Sequence, residues 1–232
     1  MNVLVLSGSP NGTRGNTHRL LEPFLEGLRE AGAETEVVQV CDLTVKPCTG
    51  CNHCWRNGGQ CAIQGDDMSW LLPKVAQAET LVLATPLYVD HLPGALKNVI
   101  DRLIPLAEPR IELVEGHCRH PRRAPAAGLR RLVLLSVCGF WELDNFDVLV
   151  AWAKAMCRNL HCDFAGKLLR PHAYAFASVP GIAPPKRRVV KAIRQAAREL
   201  VTEGAITAET ETAVAAEMIG RDLYLRLANR SW

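Results

Sequence analysis

The chain has almost no excess of charge of either sign: 27 Lys and Arg stand against 24 Asp and Glu over 232 residues, a net +3 at pH 7. So weak a field excludes the electrostatic footprint of a nucleic-acid binder or of a protein drawn to an anionic membrane surface. Long apolar runs are missing too. The longest nearly unbroken stretches, residues 81–89 and 132–141, are about half of the roughly 20 residues that a membrane span requires, so no membrane partner is expected. The first ten residues carry no basic region ahead of their apolar run and soon reach Gly8, which argues against an export signal and for a cytoplasmic chain. The loop after that run also lacks GxGxxG and Gly-Lys-Ser/Thr, which excludes the dinucleotide fingerprint and the P-loop.

What is present is ordinary globular material, 48% hydrophobic and 22% charged, with a mean hydropathy of +0.02. That composition excludes a disordered or fibrous chain. The length suits one large α/β domain or two small ones. Nine cysteines stand out. In a reducing compartment clustered thiols read as metal ligands or catalytic groups before they read as disulfides.

Short β-branched and aliphatic runs alternate with segments of helical period, the pattern of a parallel sheet covered on both faces. Strands are expected at 2–6, 35–40, 80–84, 131–136 and 172–177, and helices at 17–31, 67–78, 93–104, 142–159 and 186–202. Gly32 reads as a left-handed cap on the first helix. The expected fold is a doubly wound five-stranded parallel α/β sheet with additional C-terminal helices. Residues 1–204 form the main domain and 205–232 a helical extension for packing or oligomerisation.

Residues 8–17, Gly-Ser-Pro-Asn-Gly-Thr-Arg-Gly-Asn-Thr, follow a strand and open a helix. Backbone N–H groups converge there, a seat for a phosphate dianion, though a capped glycine-rich turn reads equally well. Thr85-Pro86-Leu87-Tyr88 and Val137-Cys138-Gly139-Phe140-Trp141 follow two further strands at the same edge. Ligands of open α/β sheets bind outside the carboxyl ends of the strands, where strand order reverses, and three such loops point to one crevice.

These pieces, together with residues 92–102 and the run Cys48-Thr49-Gly50-Cys51-Asn52-His53-Cys54 to Cys61 and Asp66-Asp67-Met68, resemble the NADPH-dependent FMN reductase superfamily of flavodoxin-like proteins. More narrowly, they resemble its iron-sulfur flavoprotein branch. The resemblance covers residues 1 to about 145. It implies a flavodoxin-like sheet of order 2-1-3-4-5, FMN, and NAD(P)H as co-substrate. By position, Ser9, Asn11, Asn16 and Thr17 would hold the phosphate, and Pro86, Leu87, Tyr88, Cys138, Gly139 and Phe140 would flank the ring. One departure is extra length between Pro10 and Asn16, which bears on Asn11, Thr13 and Arg14.

Cys48, Cys51, Cys54 and Cys61 are spaced CxxCxxCxxxxxxC. Three thiolates at intervals of three, in a glycine-rich loop, can wrap one polynuclear centre, whereas zinc more often uses two separated CxxC knuckles. A [4Fe-4S] cluster, zinc, and a metal-free dithiol or packed turn all stand as readings of these four residues. The segment leaves the second strand at the flavin edge, which favours electron exchange with the flavin. Cys41, Cys118, Cys157 and Cys162 read as small buried hydrophobes.

By analogy with the family, backbone N–H groups of residues 138–141 would stabilise charge on the flavin, and no side chain is assigned as catalytic. Residues 106–131 carry six arginines against three glutamates. Their place at the opposite edge favours a solvated excursion over a grip on the NADPH 2′-phosphate. The tail shows apolar residues at Ala213, Ala216, Ile219, Leu223 and Leu227, a helical stripe, and the resemblance implies a homodimer or homotetramer with the FMN site near a subunit interface. Three functions follow as expectations. The first is an FMN-dependent NAD(P)H oxidoreductase with a small-molecule or protein acceptor. The second is an electron carrier serving a ferredoxin-type partner, and the third a zinc-stabilised binding domain.

Overall fold

A computed structural model of the chain describes residues 1–124, 128–178 and 183–230. Seven strands alternate with nine helices among those residues: β1 Asn2–Ser7, α1 Asn16–Glu30, β2 Glu34–Gln39, α2 His53–Arg56, α3 Met68–Gln77, β3 Thr80–Pro86, α4 Gly94–Asp101, β4 Glu112–Val114, β5 His117–Arg119, β6 Arg131–Val137, α5 Asp147–Leu160, β7 Asp163–Arg170, α6 Ala173–Ser178, α7 Ala183–Thr202, α8 Ala208–Ala215 and α9 Arg221–Ala228. The main sheet has five strands in the order β2-β1-β3-β6-β7, all parallel. This is the expected flavodoxin-like order.

The central strands read Val-Leu-Val-Leu, Leu-Val-Leu-Ala and Leu-Val-Leu-Leu because both faces are covered. Successive side chains point to opposite faces. Val3, Val5, Val82, Val133 and Leu135 accordingly join α1 and α7 in one core, while Leu4, Leu6, Leu81, Leu83 and Leu134 join α3, α4 and α5 in the other. Gly32 sits at φ +84° and Ala33 N–H bonds back to the Leu28 carbonyl at 2.9 Å, the left-handed helix ending expected of it.

The fifth strand is a correction. Residues 172–177 fall almost wholly in α6, Ala173–Ser178, and the strand is β7, Asp163–Arg170. The alternation of alanine with aromatics in Ala-Tyr-Ala-Phe-Ala mimics a strand period, yet alanine is the best helix former. The true strand is disguised by Gly166 and Lys167. Its register against β6 slips between Leu132 and Val133, and the Lys167 ammonium pairs with Glu211 of α8 at 2.5 Å. A second correction concerns the tail, which is two short helices rather than one stripe. The break between α8 and α9 resets the helical phase, so Ala213, Ala216 and Leu223 are exposed while Val214, Met218, Ile219 and Tyr224 enter the core.

The excursion between α4 and β6 is only partly solvated, its residues 125–127 lying outside the described set. Arg110 pairs with Glu108 and Glu112 in the open. Arg122 instead donates to the main-chain carbonyls of Leu129, Leu160 and His161, and Arg123 to that of Pro105. These two arginines staple the edge opposite the three loops.

Candidate functional site

β1, β3 and β6 end at one edge, and the loops that leave them converge there. The first loop turns through a 3-10 segment, Gly12–Arg14. Gly12, Arg14 and Gly15 N–H groups bond to the Ser9, Asn11 and Gly12 carbonyls at 3.1, 3.1 and 3.3 Å. That turn absorbs the extra length, and it leaves Asn11, Thr13 and Arg14 exposed. Pairing along α1 starts only with Arg19 N–H to the Gly15 carbonyl. The N–H groups of Asn16, Thr17 and His18 are thereby left open at the positive end of the helix dipole.

Gly15 caps this helix without a side-chain hydrogen bond. A Cβ placed on it would lie 2.7 Å from Ser9 Oγ and 3.1 Å from Asn11 Cβ, so a side chain there would fill the concavity. Ser9 and Thr17 are buried, and Asn16 Oδ1 accepts from Arg19 at 2.7 Å. His18 Nδ1, in the same turn, is buried without a partner. Open donors around a small concavity fit a phosphate group. His18 carried no signal in the sequence beyond its place in the turn.

The second loop crosses to the third: Leu87 N–H bonds to the Val137 carbonyl at 2.9 Å. Tyr88 and His91 then exchange main-chain bonds, each at 3.0 Å, around Val89 and Asp90 at φ +47° and +59°. A β-branched residue in the left-handed region is rare, and Val89 is 98% exposed. The turn holds Tyr88 half in solvent as one apolar lip of the crevice.

The third loop is tied to β7 and the tail. Cys138 N–H bonds to the Arg170 carbonyl at 3.0 Å, Ala173 N–H to the Cys138 carbonyl at 2.9 Å, and His172 N–H to the Phe140 carbonyl at 2.6 Å. Tyr174 lies so close over Gly139 that a Cβ there would meet its ring at 2.9 Å, and the Tyr224 hydroxyl donates to the Gly139 carbonyl. The Cys138 N–H is spent on Arg170 and the Phe140 N–H on Cys138 Sγ at 3.2 Å. The Gly139 and Trp141 N–H groups remain as this loop's open donors among the described residues. Burial pushes the Cys138 thiol up, so it stays protonated. Tyr174 carries no signal in the sequence, because its segment has the alternation of a strand.

Behind this loop lies a polar knot. Arg170 is fully buried and its guanidinium donates to the Pro171, Val214 and Ala215 carbonyls and to His172 Nε2 at 2.7–3.1 Å. Burial, then the adjacent guanidinium, pushes His172 down to about 4, so the imidazole is neutral. Its Nε2 accepts, which places the proton on Nδ1. Trp141 stacks on the ring at 5.9 Å and donates to the Ile219 carbonyl at 3.1 Å.

Cys48, Cys51, Cys54 and Cys61 line a single cavity of about 20 Å³ with Asp101, Arg102 and Pro105. Asn52 at φ +54° starts α2, and Arg102 fixes both ends of the segment, donating to the Lys46 carbonyl and to Asp66 at 2.8 and 2.6 Å. Burial opposes ionisation of Asp66, but Arg102 and the Lys46 N–H outweigh it and hold the carboxyl below its usual range. Main-chain and Thr49 hydrogen bonds lower Cys51, whereas burial raises Cys54. Four thiols on one cavity fit a soft metal centre in donor chemistry. Among the described residues, no three His, Cys, Asp or Glu side chains stand close enough to hold a metal ion.

The placement relative to the crevice differs from expectation. The segment leaves β2 at the crevice edge, where Cys41 Sγ contacts the Gly8 carbonyl at 3.6 Å. It then runs along the α3–α4 face, and its cavity abuts the C-terminal end of α4. Eight residues of helix are about 12 Å long, so the crevice loops and the thiols lie at opposite ends of α4.

No helix among the described residues is long and apolar enough to cross a membrane. Residues 1–115 match the family model described as NADPH-dependent FMN reductase. The chain is 38% identical over 102 residues to an iron-sulfur flavoprotein of Archaeoglobus fulgidus, covering 44% of this chain and 48% of that one. It is 38% identical over 106 residues to one from Methanocaldococcus jannaschii, covering 46% and 53%. The chain thus matches about half the length of these relatives. In structure it is similar to an FMN-dependent NADH-azoreductase of Bacillus anthracis in complex with FMN, with a TM-score of 0.64 and 19% identity over 87% of this chain and 99% of that one.

Proposed function

We propose, from the match of residues 1–115 to the family model described as NADPH-dependent FMN reductase, that the chain is an FMN-dependent NAD(P)H oxidoreductase of the flavin or quinone reductase type. The observation that carries the reading is the seat at α1, a glycine-capped helix start with three open N–H groups beside buried Ser9 and Thr17. When bound, FMN supplies hydride acceptance from a nicotinamide and delivery of electrons to an acceptor. The N–H groups of Asn16, Thr17 and His18, with Ser9, hold the phosphate. Pro86, Leu87 and Tyr88 wall one side of the ring site and Cys138, Gly139 and Phe140 the other. The Gly139 and Trp141 N–H groups, left open in this loop, would supply preorganised dipoles there, the means by which a protein stabilises developing negative charge without reorganising. Asn11 takes a smaller part than its position suggested, being exposed with its carbonyl spent in the turn.

A [4Fe-4S] cluster held by Cys48, Cys51, Cys54 and Cys61 is part of the proposal, supported by the four thiols on one cavity and by the names of the relatives. It would supply one-electron transfer. The exposed Leu223 and Leu225 on α9 suit assembly as a homodimer or homotetramer, which sedimentation tests. The function itself is tested on anaerobically purified protein. Bleaching of bound FMN by NADPH or NADH at turnover rates supports the reductase. Bleaching only by reduced ferredoxin replaces it with the electron carrier, and colourless protein carrying zinc removes both. Iron and sulfide near four each per chain support the cluster, and their absence retires it while leaving the reductase standing.

A further inference from the structure

We propose that Cys157 and Cys162 form a reversible dithiol–disulfide pair, an oxidation site for small peroxides that is separate from the flavin crevice and from the four-cysteine cavity. The two residues are read in the sequence as unrelated packing thiols. The fold joins them: α5 ends at Leu160, His161 takes the left-handed conformation at φ +50° and ψ +48°, and Cys162 N–H bonds back to the Cys157 carbonyl at 3.1 Å. This six-to-one closure turns the chain over the last helical turn. It sets the two thiols in side-chain hydrogen-bond contact with each other. Thiols already in contact need little movement to reach disulfide geometry, in which the Cβ atoms lie about 3.8 Å apart.

The pair is chemically unequal. Cys157 is 3% exposed within the core below α5, whereas Cys162 is half-buried and can meet a small solute. Arg122, fixed on the carbonyls of Leu160 and His161, brings its positive charge to Cys162. The hydrogen bond from Cys157, with help from Arg122 and against burial and Asp163, holds the Cys162 thiol below the ordinary range. Its neighbour is held far above. Reactive cysteines occupy such electropositive, partly exposed surroundings.

The chemistry balances with hydrogen peroxide as the oxidant. The Cys162 thiolate attacks one peroxide oxygen, the O–O bond breaks, and the leaving hydroxide takes a proton, giving a sulfenic acid and one water. Cys157 then attacks the sulfenic sulfur, an S–S bond forms, and the displaced hydroxide leaves with the Cys157 proton as a second water. Two thiols are oxidised by two electrons and one peroxide is reduced. A dithiol reductant reverses the S–S bond by exchange.

Trypsin separates the two cysteines, cutting after Lys154, Arg158 and Lys167. Reduced full-length protein is therefore treated with hydrogen peroxide, blocked with iodoacetamide, digested without reduction, and mapped by mass spectrometry. The expected product is peptide 155–158 joined to peptide 159–167, with iodoacetamide labelling lost from both cysteines together and restored by dithiothreitol. In Cys157→Ser the joined peptide is absent and Cys162 carries a dimedone adduct. In Cys162→Ala, a second variant should the first fail to fold, Cys157 keeps its full labelling. The proposal is overturned if both cysteines of the wild type stay fully labelled after peroxide, or if Cys162 is recovered joined to a different cysteine.

Discussion

Lowering the pH should loosen the third loop through one residue, His172. Its ring is fully buried against the Arg170 guanidinium, and its pKa falls to about 4, against about 6.5 in an unfolded chain. The unfolded state therefore binds a proton first as pH drops. The stability gained by keeping the ring neutral is complete above pH 6.5 and is lost between about 6.5 and 4. By pH 4.5 the loss is about 2.5 kcal/mol, a large fraction of a typical domain stability of about 5–15 kcal/mol. Asp66 and Glu199 are held below their usual range, so their contributions are lost at more acid pH and are common to wild type and variant. Urea unfolding of the FMN-free protein at pH 7, 5.5 and 4.5 measures the slope, with His172→Gln as the non-titrating comparison. Wild type should lose about 1.4 kcal/mol more than the variant at pH 5.5 and about 2.5 more at pH 4.5. Equal slopes in the two proteins would refute the reasoning, because the ring would then titrate as though exposed.

Gly15→Ala should weaken FMN at least tenfold, about 1.4 kcal/mol, since the new methyl meets Ser9 Oγ; an unchanged dissociation constant by fluorescence titration would move the phosphate elsewhere. Asp66→Asn leaves the 3% exposed Arg102 without its counter-charge. It should cost about 3 kcal/mol in urea unfolding, together with any iron bound by the loop. The double change Arg122→Ala and Arg123→Ala should leave the ratio of NADPH to NADH turnover as it is. It should also lower stability by about 2 kcal/mol, because the Leu129, Leu160, His161 and Pro105 carbonyls lose donors. A shifted coenzyme ratio would instead bring this excursion to the nicotinamide.

The central strands were legible because burial on both faces leaves little but aliphatic residues in β1, β3 and β6. The turn into α1 was legible as a glycine-rich link between strand and helix, but whether its N–H groups stay open depends on where pairing along α1 begins, at Arg19. β7 was not, for an edge strand under a late helix tolerates Gly166 and a lysine whose partner, Glu211, is 44 residues away. Pattern cannot see such a pair. The tail reads as a single helical stripe from 213 to 227 because its break at residues 216–220 contains no proline. The closeness of Cys157 and Cys162 escaped because a histidine, not a glycine, takes the left-handed turn between them. Thiol clustering at 48–61 was evident from spacing, but the far end of α4 on which it rests is set by Arg102, a tertiary choice.

The bonds from Trp141 to Ile219 and from Tyr224 to Gly139 carry a consequence for synthesis. Chains emerge from the ribosome amino end first at about 5–20 residues per second, and Tyr224 follows Gly139 by 85 positions. The phosphate loop and β1 are thus made long before the third wall can be fastened, which waits roughly 4–17 s more for its latch. A nascent chain stalled anywhere in that interval holds the turn into α1 without the latch that closes the third loop.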